Sequence, residues 1–131
     1  MAKITFNNKS TKEDKLRINF NKKKVDFSGN VYKYRDKDTR QMVFHIPSLD
    51  LTGYGSTAKK AQEMTSFLLT DFFAWLIKLP HSKIEQELRN LGWKHVEFKN
   101  KEYSQTFVDG DGRLQNFNAV GDEVERLTVV A

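Results

Sequence analysis

Phe44-His45-Ile46-Pro47-Ser48-Leu49-Asp50-Leu51, continued by Thr52-Gly53-Tyr54-Gly55-Ser56-Thr57 and Ala58-Lys59-Lys60-Ala61, is the stretch whose reading decides the fold. Phe44 and Ile46 sit two apart, as on one face of a strand, and Pro47 cannot donate a ladder hydrogen bond, so pairing should stop there. Gly53 and Gly55 flank Tyr54, which suits a short, bent edge strand. Thr57 or Ser56 is placed to cap the helix that follows. In that helix Ala61, Met64, Leu68, Phe72, Trp75 and Leu76 recur at helical spacing and are expected to form the core face. Leu69, Phe73 and Ile77 make an adjoining apolar row, so the stripe is broader than a one-sided surface helix requires. Either the terminal segments cover that row or a second subunit does. The preferred expectation is a homodimer through Leu69, Phe73 and Ile77.

Downstream, Pro80 closes the long helix and Ser82-Lys83-Ile84-Glu85 fits a capping box for a second, shorter one. Ile84, Leu88 and Leu91 form its apolar stripe, and Gly92 before Trp93 is a natural stop. Upstream, Val31, Tyr32 and Tyr34 begin a strand, Asp36-Lys37-Asp38-Thr39 is a hairpin turn, and Met42, Phe44 and Ile46 return. Ile4 with Phe6, and Leu16 with Ile18 and Phe20, alternate as strands do, with Asn7 to Asp14 read as a loop between them. Lys22-Lys23-Lys24 extends the second strand or its turn. Val25 and Phe27 resume the alternation until Ser28-Gly29-Asn30 breaks it. Past Trp93, Val96 and Phe98, a Lys99-Asn100-Lys101 turn, and Tyr103, Gln105 and Phe107 read as a hairpin. Leu127, Val129 and Val130 suggest a final strand.

The chain has 131 residues, enough for one domain with a real core. It is expected to comprise an N-terminal β-hairpin extension over residues 1–28, a sheet-and-helix core over 29–96 and C-terminal strands over 97–131. The absence of cysteine excludes disulfides and thiolate metal sites. Neither a signal peptide nor an apolar run of the roughly 20 residues that span a bilayer is visible, so a cytoplasmic protein without membrane contact is expected. Charge is uneven: residues 1–40 hold 12 Lys and Arg against 5 Asp and Glu (+7), and the remainder holds 10 against 12 (−2). Such asymmetry can orient a protein towards a polyanion, although a lysine-rich hairpin facing water needs no ligand.

Taken together, the hairpin from Val31 to Leu51, the Gly53-to-Thr57 approach and the Ala61-anchored helix resemble the HicB-like family. Members often carry a pattern close to P-x-L-x-x-x-G-x-T-x-x-x-A, and Pro47, Leu49, Gly55, Thr57 and Ala61 occupy comparable places. Some follow the helix with a second one ending Leu-Gly-Trp, as Leu91-Gly92-Trp93 does. The resemblance covers roughly residues 31–93. It implies an α+β fold: an antiparallel β-meander with one long packed helix and a short second helix, an incomplete ribonuclease H-like arrangement, here extended by N-terminal and C-terminal strands. It further implies a non-enzymatic, protein-binding antitoxin that masks a small RNA-cleaving toxin. Two departures stand out. The family's C-terminal DNA-binding segment is not recognisable in residues 97–131, and Lys59 and Lys60 replace the acidic first helical turn.

Other chemistry is weakly signed. Lys59, Lys60 and the helix N–H groups are weighed as an anion-binding corner against a small, tolerated clash with the helix dipole. Lys22, Lys23, Lys24, Lys33, Arg35 and Arg40, with Tyr32 and Tyr34 interleaved, are the candidate nucleic-acid contacts, an alternative function for the basic N-terminal half. Against it stands the ordinary reading of one core face and one solvated face. Asp26, Asp36, Asp38 and Asp50 do not form the converging carboxylate set that metal-dependent nucleases need. Asp109-Gly110-Asp111-Gly112 lacks the downstream acids of a calcium loop and reads as a turn. His45, His81 and His95 are not at metal-ligand spacing, and His45 is expected to face solvent. No catalytic residue and no cofactor is expected.

Overall fold

The computed structural model describes residues 4–8, 13–95, 102–106 and 125–131. The hairpin turns at 99–101 and 109–112 expected from sequence lie outside these residues, as do Val96, Phe98 and Phe107. In chain order the elements are β1 (Thr5–Asn7), β2 (Glu13–Asn19), β3 (Lys24–Arg35), β4 (Met42–Ile46), a 3-10 turn (Pro47–Leu49) and β5 (Leu51–Gly55). They continue with α1 (Ala58–Ile77), α2 (His81–Asn90), β6 (Lys94–His95), β7 (Glu102–Thr106) and β8 (Glu125–Val130). All the strand pairs are antiparallel. The class is α+β, a β-meander of β3, β4 and β5 with a long and a short helix.

The deciding stretch folds as its chemistry dictates. Pro47 opens the 3-10 turn, and Asp50 closes it in the left-handed region (φ 52°) with its N–H donating to the Pro47 carbonyl. Aspartate tolerates that conformation better than most residues. Ile46 then pairs with Leu51, and Leu49 is buried beneath the turn. Thr57 caps α1, its Oγ1 accepting from Lys60 N at 3.2 Å. α1 runs antiparallel to β5 and directly over it. A Cβ on Gly55 would lie 2.6 Å from Ala61 N, and one on Gly53 would lie 2.8 Å from Thr65 N. Two residues along the strand thus match four along the helix, and only glycine permits so close an approach.

β3 is the organising strand, and its pairing is the feature that sequence did not reveal. Ser28 pairs with both Lys15 of β2 and Val130 of β8, while Tyr32 pairs with both His45 of β4 and Arg126 of β8. β8 therefore takes one edge of β3, and β2 and β4 share the other, one after the other. The strand order is β1-β8-β3-β2-β7-β6, with β4 and then β5 branching from β3. Ser28-Gly29-Asn30 does not break the strand as expected, because β8 supports it from the other side. The terminal strands extend the sheet from one edge of β3, first β8 and then β1, and none enters between β3, β4 and β5.

Between the departure of β2 and the arrival of β4, Gly29, Asn30 and Val31 have no strand partner on that edge. Asp14 fills the gap. Its Oδ1 accepts from Asn30 N (3.2 Å) and Asn30 Nδ2 (2.9 Å), and the side chain is fully buried. Burial raises the Asp14 pKa, and the Ser48 hydroxyl and the Asn30 donors oppose that rise. Ser48 is near enough to act on the carboxylate, yet neither Asp14 Oδ2 nor Ser48 Oγ has a partner at hydrogen-bonding geometry. Glu13 and Asp14, expected in a loop, belong to β2, and Asp14 continues the inward face of Leu16 and Ile18.

The core gathers Leu16, Ile18, Phe27, Phe44, Ile46, Leu69, Leu76, Ile84, Leu88 and Trp93. Trp93 Nε1 donates to the Ser48 carbonyl at 2.9 Å, tying the end of α2 to the 3-10 turn. Gly92 adopts φ 96°, as a helix stop requires. The expected capping box does not form. α2 starts at His81 with Pro80 in the cap position, whose carbonyl accepts from Lys83 and Ile84, so Ser82 lies inside the first turn. The fixed φ of proline launches the helix two residues earlier than a Ser82 cap would.

Candidate protein-binding surface

The rotation of α1 about its axis decides what the molecule presents. Because Gly53 and Gly55 admit the helix backbone, the small residues Ala61 and Thr65 face β5, and Leu69 and Leu76 follow them inward. The proposed interface of Leu69, Phe73 and Ile77 is thereby corrected. Leu69 is fully buried, and Phe73 and Ile77 pack against the core. Phe73 and Ile77 are half-buried and line, with Ile4 and Ala131 of the terminal segments, a recess of about 480 Å³.

The row expected to be core is turned partly to solvent. Met64, Leu68 and Phe72 are half-buried, Trp75 is 46% exposed, and Phe67, on neither expected row, is 69% exposed. At three- and four-residue spacing Met64, Phe67, Leu68 and Trp75 share one side of the helix, with Asp71 among them. That side overhangs the edge of β5 that is unpaired among the described residues, because Tyr54 N donates to Met64 Sδ at 3.4 Å. Tyr54 itself is 49% exposed. Phe67 and Trp75 are thus exposed together on the outer side of α1, whereas Tyr54, set between Gly53 and Gly55, projects its ring from the sheet face opposite the helix. Aromatic anchors of this kind are enriched in protein interfaces and depleted on inert surfaces.

Sequence reasoning missed this flank by choosing the longer apolar row as core. The available signal was the pairing of small residues, Gly53 and Gly55 against Ala61 and Thr65, which fixes the inward side of α1.

The eight candidate cations do not converge. Lys22, Lys23 and Lys24 form the β2–β3 turn beside the far half of α1. Arg35 and Arg40 lie at the β3–β4 tip, where Arg35 Nη1 donates to the Arg40 carbonyl at 2.6 Å. The two groups stand at opposite ends of β3, about 35 Å apart at the usual rise per residue. Lys33 is paired with Glu125 (3.8 Å) and shares with Lys59, Phe6 and Phe44 a recess of about 630 Å³. Lys60 lies on the Phe67 side of α1, and its backbone N–H is already capped by Thr57.

The acids are structural where they can be followed. Asp36 Oδ2 accepts from Asp38 N, Thr39 N and Thr39 Oγ1 and so builds the β3–β4 turn. Among the described residues, no three histidine or acidic side chains come together as a metal ion would need. His45 is half-buried rather than solvent-facing. Its ring meets Thr52 Oγ1 at 2.9 Å, and burial lowers its pKa against the opposing pull of Asp50.

No protein-family model, curated protein or solved structure matches the chain. Among the described residues, no helix is long and apolar enough to cross a membrane.

Proposed function

We propose that this chain is a non-enzymatic, protein-binding module of the HicB-like kind, an antitoxin-like partner of a small RNA-cleaving toxin working in the cytoplasm. The observation that carries the protein-binding part is the pair of exposed rings, Phe67 and Trp75, on the side of α1 next to a β5 edge that is unpaired among the described residues. The toxin as partner rests on the sequence resemblance alone. The motif residues behind that resemblance all have architectural work: Pro47 turns, Leu49 fills, Gly55 and Ala61 touch, Thr57 caps. They speak for the fold and leave the partner to be found.

Affinity purification of the tagged chain from its native cells, with and without nuclease, tests this reading. A small basic protein retained at equal stoichiometry after nuclease is the expected result. Recovery of nucleic acid alone, lost on nuclease or salt, would instead favour the basic N-terminal half. For that second reading the brought-together pair is Lys33 and Lys59 in one recess with Phe6 and Phe44. Phosphate binding weakens steeply with salt, and apolar burial does not.

A further inference from the structure

We propose that the recess between the far half of α1 and the β2–β3 turn binds a free medium-chain carboxylate, a fatty acid taken up tail first with its head group among Lys22, Lys23 and Lys24. The site is separate from the protein-binding surface, and the inference goes beyond that reading without depending on it.

The recess is an opening at one end of the core. α1 packs chiefly on β5 and next on β4, and on its adjoining side Thr70, Phe73, Ala74 and Ile77 line up at helical spacing. Across from them stand Val25 at the start of β3, Ile4 before β1 and Ala131 after β8. Val25 and Ala131 are buried, and Ile4, Phe73 and Ile77 are half-buried. The space between these walls is about 480 Å³. Sites that hold small molecules run from roughly 300 to 1,000 Å³. Thr70 to Ile77 spans about 10 Å of helix, the reach of a medium-length alkyl chain.

The rim of this hollow is cationic. Lys22, Lys23 and Lys24 border it and are exposed, and no acidic side chain lines it among the described residues. The recess at Lys33 and Lys59, in contrast, includes Glu63, and Lys33 is already paired with Glu125. None of the three turn lysines forms an ion pair among the described residues. The turn that carries them is held in place. Asn19 pairs with Lys24, and its Oδ1 accepts from Lys22 N at 3.1 Å. Phe20 lays its ring against His81 of α2, with centroids 3.8 Å apart. Lys23 adopts a left-handed φ of 51°, where asparagine or glycine is the usual choice. Three like charges are thus kept in one fixed turn at the mouth of an apolar hollow. A carboxylate relieves their repulsion while its tail displaces water from the walls.

The order of the groups selects the source of the ligand. The apolar walls lie behind the lysines, so a ligand has to bring its tail into the protein. A bilayer keeps its tails among themselves, whereas a soluble acid delivers one.

Titration calorimetry of the full chain with hexanoate, octanoate and decanoate, each below its micelle concentration, tests the proposal. Amide NMR shifts locate the ligand, and circular dichroism verifies the folding of each variant. Affinity should rise about two- to fourfold for each added methylene. Decylamine, with the wrong charge, should bind about tenfold more weakly than decanoate. Shifts are expected at Lys24, Val25, Ala74 and Ile77. Lys22→Gln, Lys23→Gln and Lys24→Gln combined should weaken decanoate binding about tenfold. Ala74→Phe, at an exposed position, should fill the recess and abolish binding. Neither heat nor shifts with decanoate would overturn the proposal. So would equal affinities for decanoate and decylamine, shifts centred instead on Phe67 and Trp75, or binding indifferent to the lysine changes. Capture by phosphatidylglycerol vesicles without binding of free decanoate would assign the lysines to a membrane surface and overturn it as well.

Discussion

Replacing Asp14 separates two roles of one carboxylate. Asp14→Ala removes two hydrogen bonds to a buried carboxylate oxygen, from Asn30 N and Asn30 Nδ2, in the gap between β2 and β4. A hydrogen bond to a charged group contributes about 1.5–3 kcal/mol, so the variant should lose about 3 kcal/mol once partial relaxation is allowed. Asp14→Asn keeps the accepting oxygen and turns an N–H towards the lone Ser48 hydroxyl, so its loss should stay within about 1 kcal/mol. The two variants also differ from wild type in pH response. Burial raises the folded pKa of Asp14 above the ordinary 3.8, so in the window between those values the native chain binds the proton more tightly than the unfolded chain does. Wild-type stability from this group is therefore greatest at low pH and falls as pH rises through the folded pKa. Asparagine does not titrate, so Asp14→Asn should gain on wild type from pH 4 to pH 7. Urea unfolding at several pH values reads both effects. Parallel pH profiles for wild type and Asp14→Asn, or equal losses in Asn and Ala variants, would refute the reasoning.

Gly53→Ala should cost about 2–4 kcal/mol in thermal or urea unfolding, because its Cβ would meet the α1 backbone at Thr65; Thr65→Ala should fail to rescue it, since N and Cα of residue 65 are themselves within 3.0 Å. Leu69→Ala should cost about 2–5 kcal/mol whereas Phe67→Ser should leave the stability of the folded chain within about 0.5 kcal/mol, and the opposite order would mean that α1 is rotated otherwise. Trp93→Phe should lose about 1–2 kcal/mol through the bond to the Ser48 carbonyl, seen as a lower urea midpoint. Burial lowers the folded pKa of His45 below the ordinary 6.5, so its contribution is fully present above that value and declines as pH falls through it; His45→Gln should lack this decline in unfolding measured between pH 5 and pH 8.

The meander and α1 were legible because their signals are local. Pro47 stops a strand, Thr57 caps, Gly53 and Gly55 lie under a helix, and each acts within a few residues of itself. The course of β8 was not legible, since nothing in Leu127, Val129 or Val130 says that they lie between β1 and β3, about a hundred residues earlier. Asp14 was hidden for a different reason. A charged residue at a core position contradicts the alternation by which strands are recognised, so the beginning of β2 looked like loop. In α1 both apolar rows were visible, and only the match of small residues across the β5 contact chooses between them. The exposed pair of Phe67 and Trp75 became apparent once that choice was made. The basic residues were visible individually, but their separation along β3 could not be read from their number.

The position of β8 governs how the chain can be born. β1 has β8 as its neighbour, and β3 offers β8 its edge from Ser28 to Lys33. Both must wait on the ribosome while some ninety residues emerge after β3, on the order of 5–20 s at ordinary elongation rates. During that interval the backbone from Ser28 to Lys33, with the apolar side chains of Val31 and Tyr32, lies along a strand edge that β8 has not yet closed. An open edge of this kind is where stray pairing begins, so the newborn polypeptide is more exposed to aggregation than the finished fold, and the slowest part of its maturation is the arrival of its last strand.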